Sequence, residues 1–135
     1  MTGKSEFVLA WTTSKNSIEN EQTWIMVRHK ERGWELPGGS KIDGEKSDEA
    51  ALRELFEETG LLGTAKAYDS KLIENGTVVW IEVDDEPHPN PWESGDDVIE
   101  EVGWCIQIPE RLGWNIFEIE KLMAHDWSAS ISLES

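Results

Sequence analysis

Three glutamates and an arginine stand close together in the middle of the chain: Arg53, Glu54, Glu57 and Glu58. The spacing i, i+3, i+4 places the three carboxylates on one face of a helix, where each like-charged pair is destabilising by about 0.2–0.5 kcal/mol. Glu57 and Glu58 also fall in the last predicted turn, where the helix dipole disfavours anions by about 0.3–1 kcal/mol. A cation is therefore expected at this face, and carboxylate oxygens suit a hard divalent ion such as Mg²⁺.

A solvated acidic face is the alternative interpretation, because the chain has 28 acidic residues against 12 Lys plus Arg. Two neighbouring features argue against it. Pro37-Gly38-Gly39 predicts a shaped loop and not a strand, because proline lacks an amide hydrogen and glycine reaches backbone angles closed to other residues. Arg53 also stands within the acidic set. A solvated face requires neither feature, so the pattern favours a metal site.

A longer pattern surrounds these residues from Gly39 to Leu61: glycine, five residues, Glu45, seven residues and then Arg-Glu-Leu-Phe-Glu-Glu-Thr-Gly-Leu. This is the complete signature of the Nudix box, and the chain therefore resembles the Nudix hydrolase superfamily. The resemblance implies an α/β fold, a Nudix-type α/β/α sandwich with a mixed β-sheet between helices. It also implies that Mg²⁺, or alternatively Mn²⁺, binds to the three box glutamates, often with the carbonyl oxygen of Gly39.

The remaining box residues have supporting roles under this resemblance. Arg53 is interpreted as an orienting residue that reaches Glu57 one turn on and Glu45 across the loop. Glu45 is accordingly interpreted as structural more than catalytic, and Gly38 and Gly60 as structural as well. The catalytic set is then Arg53 with the three box glutamates.

The implied reaction is hydrolysis of a diphosphate linkage. The metal would bridge diphosphate oxygens, neutralise the charge that develops in an in-line displacement and lower the pKa of the attacking water. A base must take the proton of that water, and either Glu57 or Glu58 could do so. In parts of the family the base is a carboxylate on the loop before the last strand, where this chain offers Asp97, Glu100 and Glu101 as a base or an extra metal ligand. The sequence leaves this choice open.

Outside the box, the chain resembles the MutT-like branch, which hydrolyses nucleoside triphosphates, including oxidised ones, to monophosphate and pyrophosphate. Pro91-Trp92, Glu101-x-x-Trp104 and Asn115 carry this resemblance. It implies that Arg28, His29 and Asn115 contact the substrate, although His29 stands where the branch has a second arginine. Asn115 fits a helix N-cap equally well, and Trp92 fits an anchor for its proline-rich loop better than a stacking platform.

Two other functions remain open. The first is a pyrophosphatase for ADP-ribose or another nucleoside diphosphate derivative, which would use the same metal site with a different pocket. The second is a non-hydrolytic nucleotide-binding module that regulates a partner. Modules of this kind usually lose box carboxylates, and this chain keeps all of them.

The composition limits the partners. A formal charge of −16 repels long nucleic acids, whereas a small nucleotide remains a suitable substrate if metal ions offset its charge. The 135 residues are expected to form a single domain, residues 1–135. No apolar stretch approaches the roughly 18 residues of a membrane span, and the start of the chain is polar. A cytoplasmic protein without a membrane partner is therefore expected, and the sequence does not determine its oligomeric state.

Alternating and helical periodicities predict the elements that position these residues. The predicted strands are 7–11, 23–29, 65–74, 77–83 and 101–108, with a tight hairpin at Asn75-Gly76 and with Cys105 buried. The predicted helices are 114–125 and 47–59, the latter with Ser47 as N-cap and an apolar stripe of Ala51, Leu52, Leu55 and Phe56. Loops are expected at 12–22 and 84–97, and a polar tail at 128–135.

Overall fold

The computed structural model describes residues 7–16, 22–74 and 76–133. This part of the chain contains β-strands, two α-helices and one short 3₁₀ helix. In chain order the elements are β1 (Phe7–Ser14), β2 (Trp24–His29), β3 (Gly33–Glu35), β4 (Gly38–Ser40), α1 (Ser47–Thr59), β5 (Gly63–Asp69), β6 (Gly76–Val83), β7 (Ile99–Cys105), α2 (Ile116–Ala124), the 3₁₀ helix (Trp127–Ala129) and β8 (Ile131–Ser132).

The strands form two sheets. The larger sheet has the order β4-β1-β6-β5-β8, in which β1 and β6 run parallel and the other neighbours run antiparallel. The smaller sheet has the order β3-β2-β7, and both of its pairs are antiparallel. The predicted α/β class with a mixed sheet is therefore confirmed, although the strands divide into two sheets.

Strand β1 shows how the helices lie on opposite faces of the larger sheet. Val8 and Ala10 belong to a core cluster with the buried side chains of α1. Leu9 and Trp11 belong to another cluster, with the buried side chains of α2. Because successive residues of a strand point to opposite faces, the larger sheet lies between the two helices.

Helix α1 spans the predicted range, but its N-cap is Lys46 and not Ser47. The Lys46 backbone N–H donates to the Glu49 carboxylate at 2.9 Å, so an acid in the first turn satisfies a backbone donor at this end. At the other end, Gly60 has a φ of 80°, and its N–H donates to the Phe56 carbonyl at 2.8 Å. Residues with a Cβ atom rarely adopt this left-handed conformation, which explains glycine at the end of the helix.

The apolar stripe of α1 is narrower than predicted. Ala51 and Leu55 are buried, Leu52 is half-buried and Ala50 is also buried. Phe56 was predicted to belong to the stripe, but it is 51 % exposed. The small alanines and Leu55 fill the contact with the sheet, which leaves Phe56 outside it.

Two loop predictions were wrong beside β1. This strand continues past Trp11 to Ser14, because it pairs with β6 residue by residue as far as Val83. The second wrong prediction is the shaped loop at Pro37-Gly38-Gly39. From Gly38 onward this segment forms β4, which pairs antiparallel with β1. A side chain at Gly38 would collide with the Val8 carbonyl, so this glycine allows close strand pairing.

The second half of the chain also differs from the prediction at element ends. Strand β5 ends at Asp69 and not at residue 74, and Asn75 of the predicted tight hairpin lies outside the described residues. Strand β7 begins at Ile99, two residues before its predicted start, and Cys105 is half-buried instead of buried. The predicted polar tail forms the 3₁₀ helix and β8, which pairs with β5, and its last two residues lie outside the described ones. The predicted loop at 84–97 is confirmed, since these residues form no helix or named strand.

The substitution Gly60→Ala tests the left-handed end of α1. We expect it to lower the free energy of unfolding by about 1–2 kcal/mol, because alanine would have to adopt a φ of 80° there. Gly95→Ala is the matched control, since open space surrounds both glycines and Gly60 alone of the two has a positive φ. Urea titration measures both variants, and equal stability of the two would contradict the role given to Gly60.

Candidate active site

The three box glutamates lie in the second half of α1 and differ in exposure. Glu58 is buried, the Glu54 side chain is 15 % exposed and the Glu57 side chain is 53 % exposed. Packing of α1 against the larger sheet fixes these depths, because Ala51 and Leu55 hold the same two turns against β1 and β6. One carboxylate is therefore buried, one is mostly buried and one is about half exposed.

Two of the carboxylates lie against strand β4. A Cβ atom at Gly39 would collide with the Glu54 carboxylate, so the missing side chain leaves space for Glu54 in its present position. The Gly38 backbone N–H donates to the Glu58 carboxylate. The two glycines of the box therefore bring peptide backbone into direct contact with two of its acids.

Glu54 and Glu58 are hydrogen-bonded to each other through their side chains. Burial, together with the hydrogen bond and charge of Glu54 and the charge of Asp96, raises the pKa of Glu58 to about 9. Two carboxylates in contact cannot both ionise without a large cost, so one of them keeps a proton when no cation is present. The pair is therefore a place where a cation can replace a proton.

The Arg53 guanidinium connects the acids of the box. Its Nε and Nη2 atoms donate to the two Glu45 oxygens at 2.7 and 3.0 Å. Its Nη1 atom donates to Glu54 and to Glu57 at 2.8 Å each. Nη2 also donates to the Ser40 carbonyl at 3.1 Å, which ties the fork to the end of β4. These are the contacts expected of an orienting residue, a role that stays a prediction.

Glu45 is the residue that holds this network in place. Beyond the two bonds from Arg53, its Oε1 atom accepts from the Ile42 backbone N–H at 2.8 Å. The hydrogen bond from Arg53, and then that from Ile42, lower the pKa of Glu45 to about 2. All the contacts of Glu45 thus hold the loop before α1 and the guanidinium in place.

The carboxylate oxygens of the box are the type of ligand that suits Mg²⁺, because this ion takes a few carboxylate oxygens together with water and substrate phosphate. Within residues 7–16, 22–74 and 76–133, however, no three His, Cys, Asp or Glu side chains form a preformed metal-binding group. The Arg53 Nη1 atom, which bonds to both Glu54 and Glu57, takes up one oxygen of each of these acids. The residues fit a divalent ion through the Glu54–Glu58 contact, where such an ion would take the place of the shared proton.

The second half of loop 84–97 packs against the end of α1. The Trp92 indole N–H donates to the Thr59 carbonyl at 2.8 Å, and the Ser94 hydroxyl donates to the Glu58 carbonyl at 2.6 Å. Trp92 thus anchors its loop, as predicted, and does not stand free as a stacking platform. A cavity of about 560 Å³ lies between loop and helix, and its wall includes Glu54, Phe56, Glu57, Glu93 and Asp96.

The loop carboxylates at this cavity are Glu93 and Asp96, and the sequence singled out neither of them. Asp97 is exposed and is not part of the cavity wall. Glu100 and Glu101 form ion pairs with Arg28 at 3.4 and 3.0 Å and are not part of the wall either. The run of two adjacent loop acids was visible in the sequence, but no local periodicity decides which of the two faces inward.

The three predicted substrate residues all have structural contacts. Arg28 is held by its two ion pairs, and His29 is buried at the end of β2, where its Nδ1 atom accepts from two backbone N–H groups of the following turn at 3.1 and 3.3 Å. Asn115 is the N-cap of α2, and its side chain accepts from the Phe117 N–H at 2.8 Å. None of the three is part of the wall of the box cavity, and their contact with substrate stays a prediction.

A second cavity of about 560 Å³ lies near the first half of loop 84–97, with Thr23, Pro87, His88 and Trp104 in its wall. No box residue takes part in that wall. The acids able to bind a metal are therefore at the first cavity, where α1 and the loop meet.

A carboxylate-bearing helix oriented by an arginine and packed against a glycine strand is the arrangement of a Nudix box. The chain matches the family model of the NUDIX domain over residues 16–107, which is more than half of its length. The chain therefore belongs to the NUDIX family, and the resemblance inferred from the sequence is confirmed. In the described part of the chain, no helix has the length and apolar character needed to cross a membrane.

Individual proteins resemble the chain over different lengths. A Bacillus subtilis (strain 168) protein provisionally named 8-oxo-dGTP diphosphatase YtkD is 51 % identical over 37 residues, which are 27 % of this chain and 23 % of the relative. The matched segment thus spans only about a quarter of that relative's length.

Two solved structures share the fold. A point mutant of the Bacillus subtilis pyrophosphohydrolase BsRppH has a TM-score of 0.57 at 20 % identity, over 90 % of this chain and 83 % of that one. A UDP-X diphosphatase has a TM-score of 0.64 at 21 % identity, over 91 % and 63 % of the two chains. At these identities the likeness concerns the fold alone.

The substitution Arg53→Lys tests whether the planar guanidinium orients the box acids. Lysine keeps the charge but cannot bond to three glutamates in fixed directions, so we expect hydrolysis of the best substrate to slow by about 10-fold or more. Arg32→Lys is the matched control, because Arg32 forms a two-bond pair with Glu35 outside the box. Steady-state kinetics compares the two, and an unchanged kcat/KM for Arg53→Lys would reduce Arg53 to a simple counter-charge.

Proposed function

We propose that this protein is a Mg²⁺-dependent hydrolase that cleaves the diphosphate linkage of a nucleoside triphosphate or a related nucleotide. The observation that carries the proposal is the contact of Glu54 with Glu58 against the backbone of Gly38 and Gly39, with Glu57 beside them. Such a contact requires a proton or a cation between the oxygens. The NUDIX family and the names of the relatives support a pyrophosphohydrolase as the enzyme class.

The protein's own residues supply the positions that this reaction needs. Glu54, Glu57 and Glu58 would hold Mg²⁺, which would neutralise charge at the diphosphate and acidify the attacking water. Arg53 holds Glu54 and Glu57 from one side, and β4 holds Glu54 and Glu58 from the other. The cavity of about 560 Å³ beside them leaves room for phosphate groups and water.

Glu57 and Asp96 are the proposed acceptors for the proton of the attacking water. Both are in the wall of the cavity, and the Glu57 side chain is 53 % exposed, so water reaches it. Glu58 is less suitable, because it is buried and is not part of the cavity wall. Asp97 and Glu101 do not contribute to the cavity wall, so we give them no role in proton transfer.

The substrate class rests on the MutT-like pattern and on the relative provisionally named 8-oxo-dGTP diphosphatase. We therefore propose a nucleoside triphosphate, cut to monophosphate and pyrophosphate. The formal charge of −16 supports a small substrate neutralised by metal over a long nucleic acid. ADP-ribose or a similar nucleoside diphosphate derivative would use the same acids, so product identification has to separate the two substrate classes.

A panel of nucleoside triphosphates, nucleoside diphosphate derivatives and ADP-ribose, each with Mg²⁺ and with Mn²⁺, tests this function. Pyrophosphate release from a triphosphate is the expected result. Faster cleavage of ADP-ribose would move the assignment to the second class of substrate. Nucleotide binding without hydrolysis under all conditions would contradict an enzymatic function and identify a regulatory module.

Glu57→Gln and Glu58→Gln test the acids directly. Glutamine keeps the size of the side chain but removes its charge, so we expect kcat/KM to fall by about 10²-fold or more while the fold is retained. Glu120→Gln, on the exposed surface of α2, removes the same charge elsewhere. Near wild-type rates in both box variants would show that the metal assignment is wrong.

Asn115→Ala separates a capping role from base recognition. Because the Asn115 side chain caps α2, we expect the free energy of unfolding to fall by about 1 kcal/mol without change in the ranking of nucleoside triphosphates. Asn115→Asp keeps the capping oxygen and is expected to retain both properties. Thermal unfolding and kcat/KM for several nucleoside triphosphates measure the two effects. If Asn115→Ala lost its preference among the bases with unchanged stability, Asn115 would be a base-recognition residue.

A further inference from the structure

We propose that Ser94 is a positioning residue, whose hydroxyl group joins the last turn of α1 to the backbone of Asp96 and so holds the Asp96 carboxylate at the cavity of the box glutamates. The inference rests on the proposed function, because it concerns the metal ion that these glutamates would bind. It identifies the side chain that places this loop carboxylate.

The Ser94 hydroxyl makes two hydrogen bonds of opposite direction. It donates to the backbone carbonyl of Glu58 at 2.6 Å and accepts from the backbone N–H of Asp96 at 2.9 Å. A hydroxyl group can do both, because it has one donor and two acceptor lone pairs. The Ser94 oxygen is therefore the direct connection between the helix of box acids and the backbone of the loop acid.

Asp96 is also held by hydrogen bonds from the residues that follow it. Its Oδ1 atom accepts from the Val98 backbone N–H at 3.0 Å, and its backbone carbonyl accepts from the Ile99 N–H at 3.0 Å. Ile99 is the first residue of β7, so these bonds tie Asp96 to the start of a strand. The position of the carboxylate is thus set from two directions, by the strand and by Ser94.

The Asp96 carboxylate belongs to the same electrostatic environment as the box acids. It lines the cavity together with Glu54 and Glu57. Its charge is also among the causes that raise the pKa of Glu58. Asp96 therefore acts on the box from the loop side of the cavity.

Trp92 supports the same docking one residue further along the helix. Its indole N–H donates to the Thr59 carbonyl, and its backbone exchanges two hydrogen bonds with Val102 of β7 at 3.0 and 2.9 Å. The last carbonyls of a helix have no partner within the helix, so Trp92 and Ser94 use acceptors that α1 cannot satisfy itself. The loop is thereby fastened between β7 and the end of α1.

The charges at this contact oppose the docking. Glu93 and Asp96 of the loop face Glu54 and Glu57 of the helix across one cavity, and like charges in a partly desolvated space repel one another. The neutral hydrogen bonds of Trp92 and Ser94 act against that repulsion. Removal of the Ser94 hydroxyl is therefore expected to let Asp96 move away from the box acids, while Trp92 keeps the rest of the loop attached.

The binding of Mn²⁺ alone, without substrate, tests this inference. Electron paramagnetic resonance of the free ion gives the affinity for wild type, Ser94→Ala, Ser94→Thr, Asp96→Asn and the double variant Ser94→Ala/Asp96→Asn. We expect Ser94→Ala and Asp96→Asn each to weaken Mn²⁺ binding by about 10-fold. Ser94→Thr retains the hydroxyl group and is expected to bind Mn²⁺ like the wild type.

The double variant decides whether Ser94 acts through Asp96. If it does, the double variant binds Mn²⁺ no more weakly than Asp96→Asn alone, because the residue that Ser94 positions has already lost its charge. Effects that multiply in the double variant would overturn the inference. An unchanged Mn²⁺ affinity in Ser94→Ala, with only a lower Tm, would overturn it as well and leave Ser94 as a loop anchor.

Ser70→Ala is the matched control, since Ser70 is an exposed serine in another loop of the chain. Its Mn²⁺ affinity is expected to equal that of the wild type. Because no substrate is present, a missing effect of Ser94 overturns this inference alone. Failure of the wild type to hydrolyse any nucleotide would instead overturn the proposed function, and the Mn²⁺ affinities of the variants could still be compared.

Discussion

Repulsion between carboxylates at the end of α1 is the constraint on which the rest of the structure depends. Glu54, Glu57 and Glu58 follow each other at a spacing where each pair repels, at the helix end that also disfavours anions. The protein meets this constraint with the Arg53 fork on one side and a retained proton on the buried acid. Under the proposed function, these acids would bind a divalent cation with little rearrangement of the backbone, because the backbone is already held by β1 and β4.

The glycines of β4 follow from the same constraint. A buried carboxylate is costly unless it is hydrogen-bonded, and backbone N–H groups are the donors that add no volume. The Gly38 N–H reaches Glu58, and the missing side chain of Gly39 leaves space for Glu54. Gly38 also pairs closely with β1, where a side chain would collide with the Val8 carbonyl, so the same segment is a strand of the larger sheet.

Sequence reasoning succeeded where local signals decide and failed where a distant partner decides. Helix α1 was predicted over its whole length, because the spacing of its apolar residues and the glycine after it are local signals. The end of β1 at Ser14 was missed, because it depends on pairing with β6, which lies more than sixty residues further along the chain. Asp96 was missed for the same reason: Ser94, which places it, bonds to a helix residue 36 positions away.

A related distinction separates the two predicted substrate residues of β2, Arg28 and His29. Arg28 pairs with Glu101 at 3.0 Å, with both side chains about a third exposed, and such a surface ion pair contributes only about 0–1 kcal/mol. A phosphate group carries more charge than a carboxylate and can replace it at little cost. The His29 side chain, by contrast, is buried, and its Nδ1 atom accepts from two backbone N–H groups of the following turn, so a substrate contact would cost it both of these hydrogen bonds. Of these two residues on adjacent positions of β2, Arg28 is therefore the one whose structural contact an anionic substrate can exchange.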